Sequence, residues 1–300
     1  MASASPVPPR LRVGIVGTGR VGAVLGAALR RVGHRITAVS ARTDLSRVRA
    51  EALLPGVTIT SPADVAADCD LLLLTVTDDA LADVVAELAP SMHPGQFVAH
   101  TSGRHGLGVL APAIEAGAIG LALHPAMTFT GTSLDLARLE DCPFAITANS
   151  ADQPIAEALV IEMGGLPIEV SEQARLVYHA ALAHGANHLV TLVAQTRELL
   201  GIAGVADPSA LVAPLLRAAL DNALREGDEA LTGPVSRADV GTIVDHLRDL
   251  QEVSPETAET YRVLAAATAR RAHAAGRLDD EQIRRILDVL ADDASLGEGA

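Results

Sequence analysis

Between residue 12 and about residue 170, short β-rich runs alternate with helical stretches. The runs read RVGIVG, RITAVS, VTIT, LLLLTV, QFVAH, AIGLAL, PFAITA and LPIEV. Runs that are apolar on both faces need cover on both sides, so the pattern predicts a mostly parallel sheet between helices. After about residue 171 the strand signals stop. The rest is rich in Ala and Leu and periodic like helix, over roughly 172–201, 207–227, 236–250, 255–275 and 279–292. Pro208, Gly233-Pro234 and Pro255 punctuate it. The expected fold class is α/β: one domain over 11–171, then an all-helical domain over 172–292. Residues 1–10 are expected to be a disordered tail and 293–300 an acidic one.

Composition narrows the class. The chain has 300 residues, enough for two domains, and 49% are hydrophobic. Aromatic residues are scarce, so Ala, Leu and Val must do the packing. The formal net charge of -14 repels phosphates and argues against nucleic acid or an anionic membrane as partner. Every basic residue is arginine. No lysine can act here as general acid, Schiff base or phosphate clamp. Cys69 and Cys142 lack metal or redox spacing, and no metal site is expected. The start, MASASPVPPR, has no apolar stretch of signal-peptide length, and the run LLLLTV is too short to span a bilayer. The expectation is a soluble, cytoplasmic protein.

The first strand leads into Gly17, Gly19 and Gly22, spaced G-x-G-x-x-G, and then directly into a helix. Gly17 permits the tight turn, Gly19 admits a pyrophosphate, and Gly22 lets helix and strand pack closely. The helix N-terminus then faces the phosphates. At the first strand of a βαβ unit this spacing predicts a Rossmann dinucleotide site, with Thr18, Arg20 and Val21 completing the loop. The end of the second strand chooses the dinucleotide. Ser40 stands where NAD binding would place a carboxylate, and Arg42 follows it. Serine and a forked guanidinium suit a 2′-phosphate, so NADP is the expected cofactor. Asp44, as a possible ribose ligand, keeps NAD in view.

Ligands bind at the carboxyl ends of strands in such sheets. The fourth strand ends at Thr75, Val76 and Thr77, expected on the nicotinamide side. The fifth ends in His100, Thr101, Ser102 and Gly103, and the next in His124 and Pro125. Further on, the stretch LVYHAALAHGANHLV puts polar residues on an alanine-rich helix. At about 100° per residue, His179, Ala183 and Asn187 form one stripe. Tyr178 falls on another face, as core or interface. With no lysine present, the expected proton donor is His179 or His124, with Asn187 orienting a carbonyl or carboxylate and Ser102 donating a further hydrogen bond. The alternative is that these histidines satisfy backbone or interface groups.

The segments VGIVGTGRVG, HTSG, LHPAMTF, YHAALAHGANHLVTL and LTGPVSRADVGTIVDHL occur in order along nearly the whole chain. Together they resemble Rossmann-like proteins with a C-terminal domain of unknown function, in the 6-phosphogluconate dehydrogenase-like superfamily. That family's form of the last segment looks like G-P-x-x-R-G-D, whereas this chain has Arg237-Ala238-Asp239. The missing glycine puts in doubt any backbone contact that needs it. The superfamily includes ketopantoate reductases, β-hydroxyacid dehydrogenases and pyrroline-carboxylate reductases, and members of the family are often encoded beside pantothenate-synthesis genes. The resemblance implies an NADP-dependent oxidoreductase reducing a small, ketopantoate-like keto acid, or an imine. Related reductases place K-x-x-x-N on the first long helix after the sheet. Here Asn187 matches and Ala183 replaces the lysine. That loss supports a second reading, a non-catalytic NADP-binding regulator or scaffold. A homodimer through residues beyond 172 is also expected. The segment GPVSRADVGTIVDH is expected to be buried, with Arg237 and Asp239 in polar contacts.

Overall fold

The computed structural model describes residues 10–291. The expected tails lie outside it, apart from Arg10, whose guanidinium meets the Glu162 carboxylate at 3.1 Å. Eight strands form one sheet among the described residues: β1 Arg12–Val16, β2 Arg35–Ser40, β3 Thr58–Ile59, β4 Leu71–Leu74, β5 Phe97–His100, β6 Ile119–Pro125, β7 Pro143–Thr147 and β8 Leu166–Glu169. Their order is β3-β2-β1-β4-β5-β6-β7-β8. All pairings are parallel except β6 with β7.

The apolar runs explain this arrangement. In β4, Leu71 and Leu73 pack into one core while Leu72 and Leu74 pack into another. Alternate residues of a strand face opposite sides, so an all-leucine strand needs two covered faces. The crossover helices supply the cover: α1 Arg20–Arg31, α2 Asp44–Leu53, α3 Pro62–Ala67, α4 Asp78–Leu88 and α5 Ala111–Glu115. Between β6 and β7 there is only the short α6 Leu134–Arg138, and the chain returns antiparallel. Then α7 Gln153–Glu162 restores the parallel crossover to β8.

The chain divides into two compact units between Ala186 and Asn187, not at the expected 171/172 boundary. Helix α8 Arg175–Leu182 therefore stays with the sheet. The cause is its first residue, Arg175, whose guanidinium bonds to β6 and β7. A π-helical turn, Ala183–Asn187, follows α8 and carries the chain across the break.

The second unit is helical: α9 His188–Ile202, α10 Pro208–Glu226, α11 Val240–Val253, α12 Pro255–Ala274 and α13 Asp280–Ala291. Its core gathers Ile243, Leu247, Ala265, Ala269, Ala272, Ile286 and Leu290 from α11, α12 and α13. Among the described residues no helix is long and apolar enough to cross a membrane.

The segment LTGPVSRADVGTIVDHL joins α10 to α11 and is only partly buried. Val235, Ser236 and Ile243 are inside, while Arg237 and Asp239 are exposed. Asp239 caps α11, accepting from the Thr242 backbone N–H at 3.3 Å and from its hydroxyl at 2.8 Å. Its charge serves the helix end, which is why it need not be buried. Between the two, Ala238 sits in the left-handed region at φ 56 and ψ 32. A Cβ there costs roughly 1–2 kcal/mol. Ala238→Gly should therefore stabilise the protein by about 0.5 kcal/mol, after allowing roughly 0.4–1 kcal/mol for the freer unfolded chain. Urea unfolding checks this, and a lower midpoint in the variant contradicts it.

Candidate active site

The glycine loop lies where the strand order turns back, between β1 and β4. Gly17 adopts φ +97, and a Cβ there would press on the Thr75 carbonyl oxygen at 3.0 Å. Gly22 is buried, and a Cβ on it would collide with the Gly17 carbonyl. Hydrogen bonds pin the loop to β2. The Gly17 N–H donates to Ser40 Oγ at 3.1 Å, and the Thr18 N–H and hydroxyl both donate to the Ser40 carbonyl at 3.0 Å. Thr18 and Ser40 are both buried. Thr18 thus braces the loop with both its polar groups, and Ser40 does so in part. Val21 packs toward the apolar core.

Gly19 is the N-cap of α1, with no side-chain cap, and the space beside it is empty where a Cβ would stand. The first-turn N–H groups of α1 thus have no side-chain oxygen on them, as an anion-binding helix end requires. A cavity of about 380 Å³ opens there, lined by Gly17, Gly19, Ser40, Arg42, Val76 and Thr77 among others. Arg42 and Arg20 are exposed, and neither makes a hydrogen bond or ion pair among the described residues. The uncapped helix and the open space at Gly19 fit a dinucleotide pyrophosphate.

The loop after β5 is locked by its own polar groups. His100 is fully buried. Its Nδ1 accepts from the Ser102 N–H at 3.2 Å and its Nε2 lies 2.8 Å from the Gly106 carbonyl oxygen. Both ring nitrogens are occupied as a neutral imidazole with its proton on Nε2 would have them. Burial pushes the His100 pKa down to about 4, against the opposing bond to Gly106. Ser102 Oγ accepts from the His105 N–H at 3.2 Å. The Glu172 carboxylate accepts from the Leu107 and Gly108 N–H groups at 2.6 and 3.1 Å. Ser102, expected as a donor to substrate, is buried and accepts a bond within this loop.

Arg175 is the residue that no motif announced. Its side chain is 1% exposed. Nε donates to Thr147 Oγ1 at 2.8 Å, Nη1 to the Ser102 carbonyl at 3.2 Å, and Nη2 to the Ala122 and Ala145 carbonyls at 3.0 Å each. All four acceptors are neutral. Burial lowers its pKa to about 10, so it remains a cation at neutral pH. The only sequence signal was a charged residue opening an otherwise apolar helix.

Around this cation three side chains meet. His124 Nδ1 lies 2.8 Å from the Tyr178 hydroxyl, and the two rings meet edge-on with centroids 5.6 Å apart. The His179 ring is 6.1 Å from that of His124, again edge-on. Gly103 makes room for both, since a Cβ there would lie 2.7 Å from His179 Cδ2 and 2.9 Å from His124 Nε2. The His124 pKa falls to about 4, first through burial, then through the Arg175 and His179 charges, with Asp78 opposing. So His124 is neutral near pH 7. Tyr178, left open between core and interface, belongs to the cluster. Asn187 is exposed and is the first residue of the second unit. The π turn adds about one residue to an α-helical turn. The 100° count behind the His179–Ala183–Asn187 stripe therefore fails across it.

Residues 2–125 match the family model for a Rossmann-like domain, and residues 142–268 match that for a domain of unknown function (DUF2520). No curated protein matches the sequence. Solved structures do. A candidate NADP oxidoreductase from Bacteroides fragilis superposes with a TM-score of 0.75 at 23% identity, over 87% of this chain and 98% of that one. An imine reductase from Myxococcus stipitatus, in complex with NAD+, gives 0.58 at 17%, over 93% and 100%. Pyrroline carboxylate reductase from Plasmodium falciparum, with NADP bound, gives 0.54 at 12%, over 94% and 98%. At these identities the likeness is one of fold.

The two buried histidines make stability depend on pH. Unfolded histidine titrates near 6.5, whereas His100 and His124 titrate at about 4 in the fold. Their contribution is complete above pH 6.5 and is lost as pH falls towards 4, by up to about 1.4 kcal/mol per pH unit for each ring. Urea unfolding at pH 7, 6 and 5 should show this decline, with a shallower slope in His124→Gln. Equal stability at pH 7 and 5 would contradict it.

Proposed function

We propose that the chain is a dinucleotide-dependent oxidoreductase acting on a small carbonyl or imine acid, with NADP as the preferred cofactor. One observation carries the reading. The uncapped N-terminus of α1 follows the carboxyl end of β1, and His124 lies at the carboxyl end of β6, a parallel strand of the same sheet, with Tyr178 and His179 brought against it from α8. The strand ends beside the glycine loop (β4) and beneath His124 (β6) are two strand spacings apart, about 10 Å. A bound, reduced nicotinamide supplies a hydride, and the cluster stands where a proton source is wanted. Gly17 and Gly19 would approach the pyrophosphate and Arg42 the 2′-phosphate, while Val76 and Thr77 would line the nicotinamide side. Two substrate types are proposed. The resemblance of the sequence segments points to a ketopantoate-like keto acid, and the imine and pyrroline carboxylate reductases among the similar folds point to a C=N bond. A non-catalytic NADP-binding role is the second reading, favoured by Ala183 in place of a lysine.

The reading also includes a homodimer through the helical unit. Helix α10 has 19 residues, of which only Val212 is buried. Leu215 and Leu224 are 67% and 78% exposed. An isolated helix is marginal in water, and its stability comes from a packed face. A second copy of the chain is the proposed cover. Sedimentation at micromolar concentration should give a dimer, and Leu215→Glu with Leu224→Glu should dissociate it. A parent that sediments as a monomer overturns this.

Calorimetry and a turnover panel of small 2-keto acids and cyclic imines test the main reading. NADPH should bind, and at least one panel member should oxidise it. Arg42→Ala should weaken NADPH about tenfold or more, the scale of a charge-assisted bond worth roughly 1.5–3 kcal/mol, and should spare NADH. Equal losses for both cofactors remove the NADP preference. Tight binding without turnover favours the non-catalytic reading.

A further inference from the structure

The reaction proposed above needs a proton at the reduced oxygen or nitrogen, and the chain holds no lysine to give it. The inference rests on that oxidoreductase reading. We propose that Tyr178 is the catalytic proton donor, with His124 as its relay and Arg175 as the fixed cation that receives its phenolate.

Charge decides between the candidates. A histidine donor would have to be cationic beforehand, in a site where Arg175 is already a buried cation with neutral partners. A tyrosine donor is neutral before transfer and anionic after it. A nearby cation opposes the first and favours the second. Arg175 and Tyr178 stand three residues apart on α8, where side chains share a face. The Tyr178 hydroxyl has its partner at His124 Nδ1, 2.8 Å away. The groups that act on Tyr178 are few. Burial and the Cys142 thiol hold the phenol protonated, and Arg175 works against them. Asp78 and His179 act on His124.

The steps balance as follows. Hydride from a reduced nicotinamide reaches the carbonyl or imine carbon, and the π pair moves to oxygen or nitrogen. Tyr178 gives its O–H proton to that atom. Solvent then delivers a proton to Nε2 of neutral His124 as its Nδ1 proton passes to the phenolate, so the ring changes tautomer without becoming an imidazolate and later resets by exchange. One hydride and one solvent proton are consumed.

The chain has two tyrosines and no tryptophan, so phenol ionisation can be read directly. In a Tyr261→Phe background Tyr178 is the sole tyrosine, and absorbance near 295 nm follows its titration. Arg175→Gln should raise that midpoint by about 1 pH unit or more, the usual effect of a neighbouring charge, and Arg175→Lys should shift it less. An unchanged midpoint in a folded Arg175→Gln variant overturns the role of the cation, and with it the proposal. On a turned-over panel member, Tyr178→Phe should lower kcat about 10²–10⁴-fold with NADPH affinity unchanged. Turnover within threefold of the parent overturns Tyr178 as donor while the oxidoreductase reading stands. If Arg175→Gln does not fold, this second arm decides alone. A panel with no turnover at all overturns the oxidoreductase reading and the donor role together, and the titration then reports only whether Arg175 and Tyr178 are coupled.

Discussion

A single buried guanidinium holds the candidate site together. Arg175 reaches from the start of α8 into the sheet and bonds to the loop after β5, to β6 and to β7 at once. Burying a cation without a carboxylate is costly, and the cost is tolerable only when its donors are satisfied. The four neutral acceptors do that, and they come from three separate stretches of chain. The Ser102 carbonyl is available because His100 and Ser102 lock the loop. The Ala122 and Ala145 carbonyls are close together because β6 and β7 pair there, in the sheet's one antiparallel ladder. Removing any of these elements would leave the cation short of partners.

The same cation sets the chemistry around it. The chain as a whole is strongly acidic, with a net charge of -14. Yet the groups gathered at His124 are an arginine, a tyrosine and a second histidine, and the acid acting on it, Asp78, has the smallest influence of those that shift its pKa. Low effective dielectric makes such local charges outweigh distant ones, which water and salt screen. A neutral His124 and a phenol beside a fixed positive charge form a site suited to anions or to charge that turns negative during reaction. That agrees with the acid substrates proposed here, and with a phosphate-bearing cofactor at the neighbouring strand ends.

Much of the fold was legible because the sheet is parallel and covered. Every expected β-run became a strand, since residues apolar on both faces have few alternatives to a buried sheet. The site was legible only in part. Gly17 and Gly22 were readable because backbone geometry alone demands glycine there, and Gly19 because the spacing leaves an open approach to the helix end. His124 and His179 were found as polar residues at a strand end and on an apolar helix. Tyr178 and Arg175 were not assigned, because helical periodicity says which face a side chain leaves from but not how far a long one reaches. Arg175 opens α8 and yet bonds to strands more than 25 residues away in sequence. The compact units divide at 186/187 rather than near 171 for a related reason, as the last helix of the sheet unit looks like the first of the helical one. Ser102 and Thr18 have a further task that the sequence did not announce. Hydroxyl groups beside a tight loop serve its backbone as readily as a ligand, and only the bond partners distinguish the two.

The absence of lysine gives the proposed site its logic. In related reductases one lysine both carries positive charge and gives up a proton. Arginine can do the first but not the second, since its pKa is too high to release a proton at neutral pH. A chain with arginine as its only strong base must therefore divide the two tasks between residues. A static cation then belongs where water cannot screen it, which is where Arg175 lies. The transferable proton must sit on a separate neutral group within that cation's field, and the Tyr178 hydroxyl, held at His124, is so placed. On the proposed reading, Ala183 in place of the lysine of the related helix is compatible with catalysis. It leaves room for a donor that enters from the other face of the same helix.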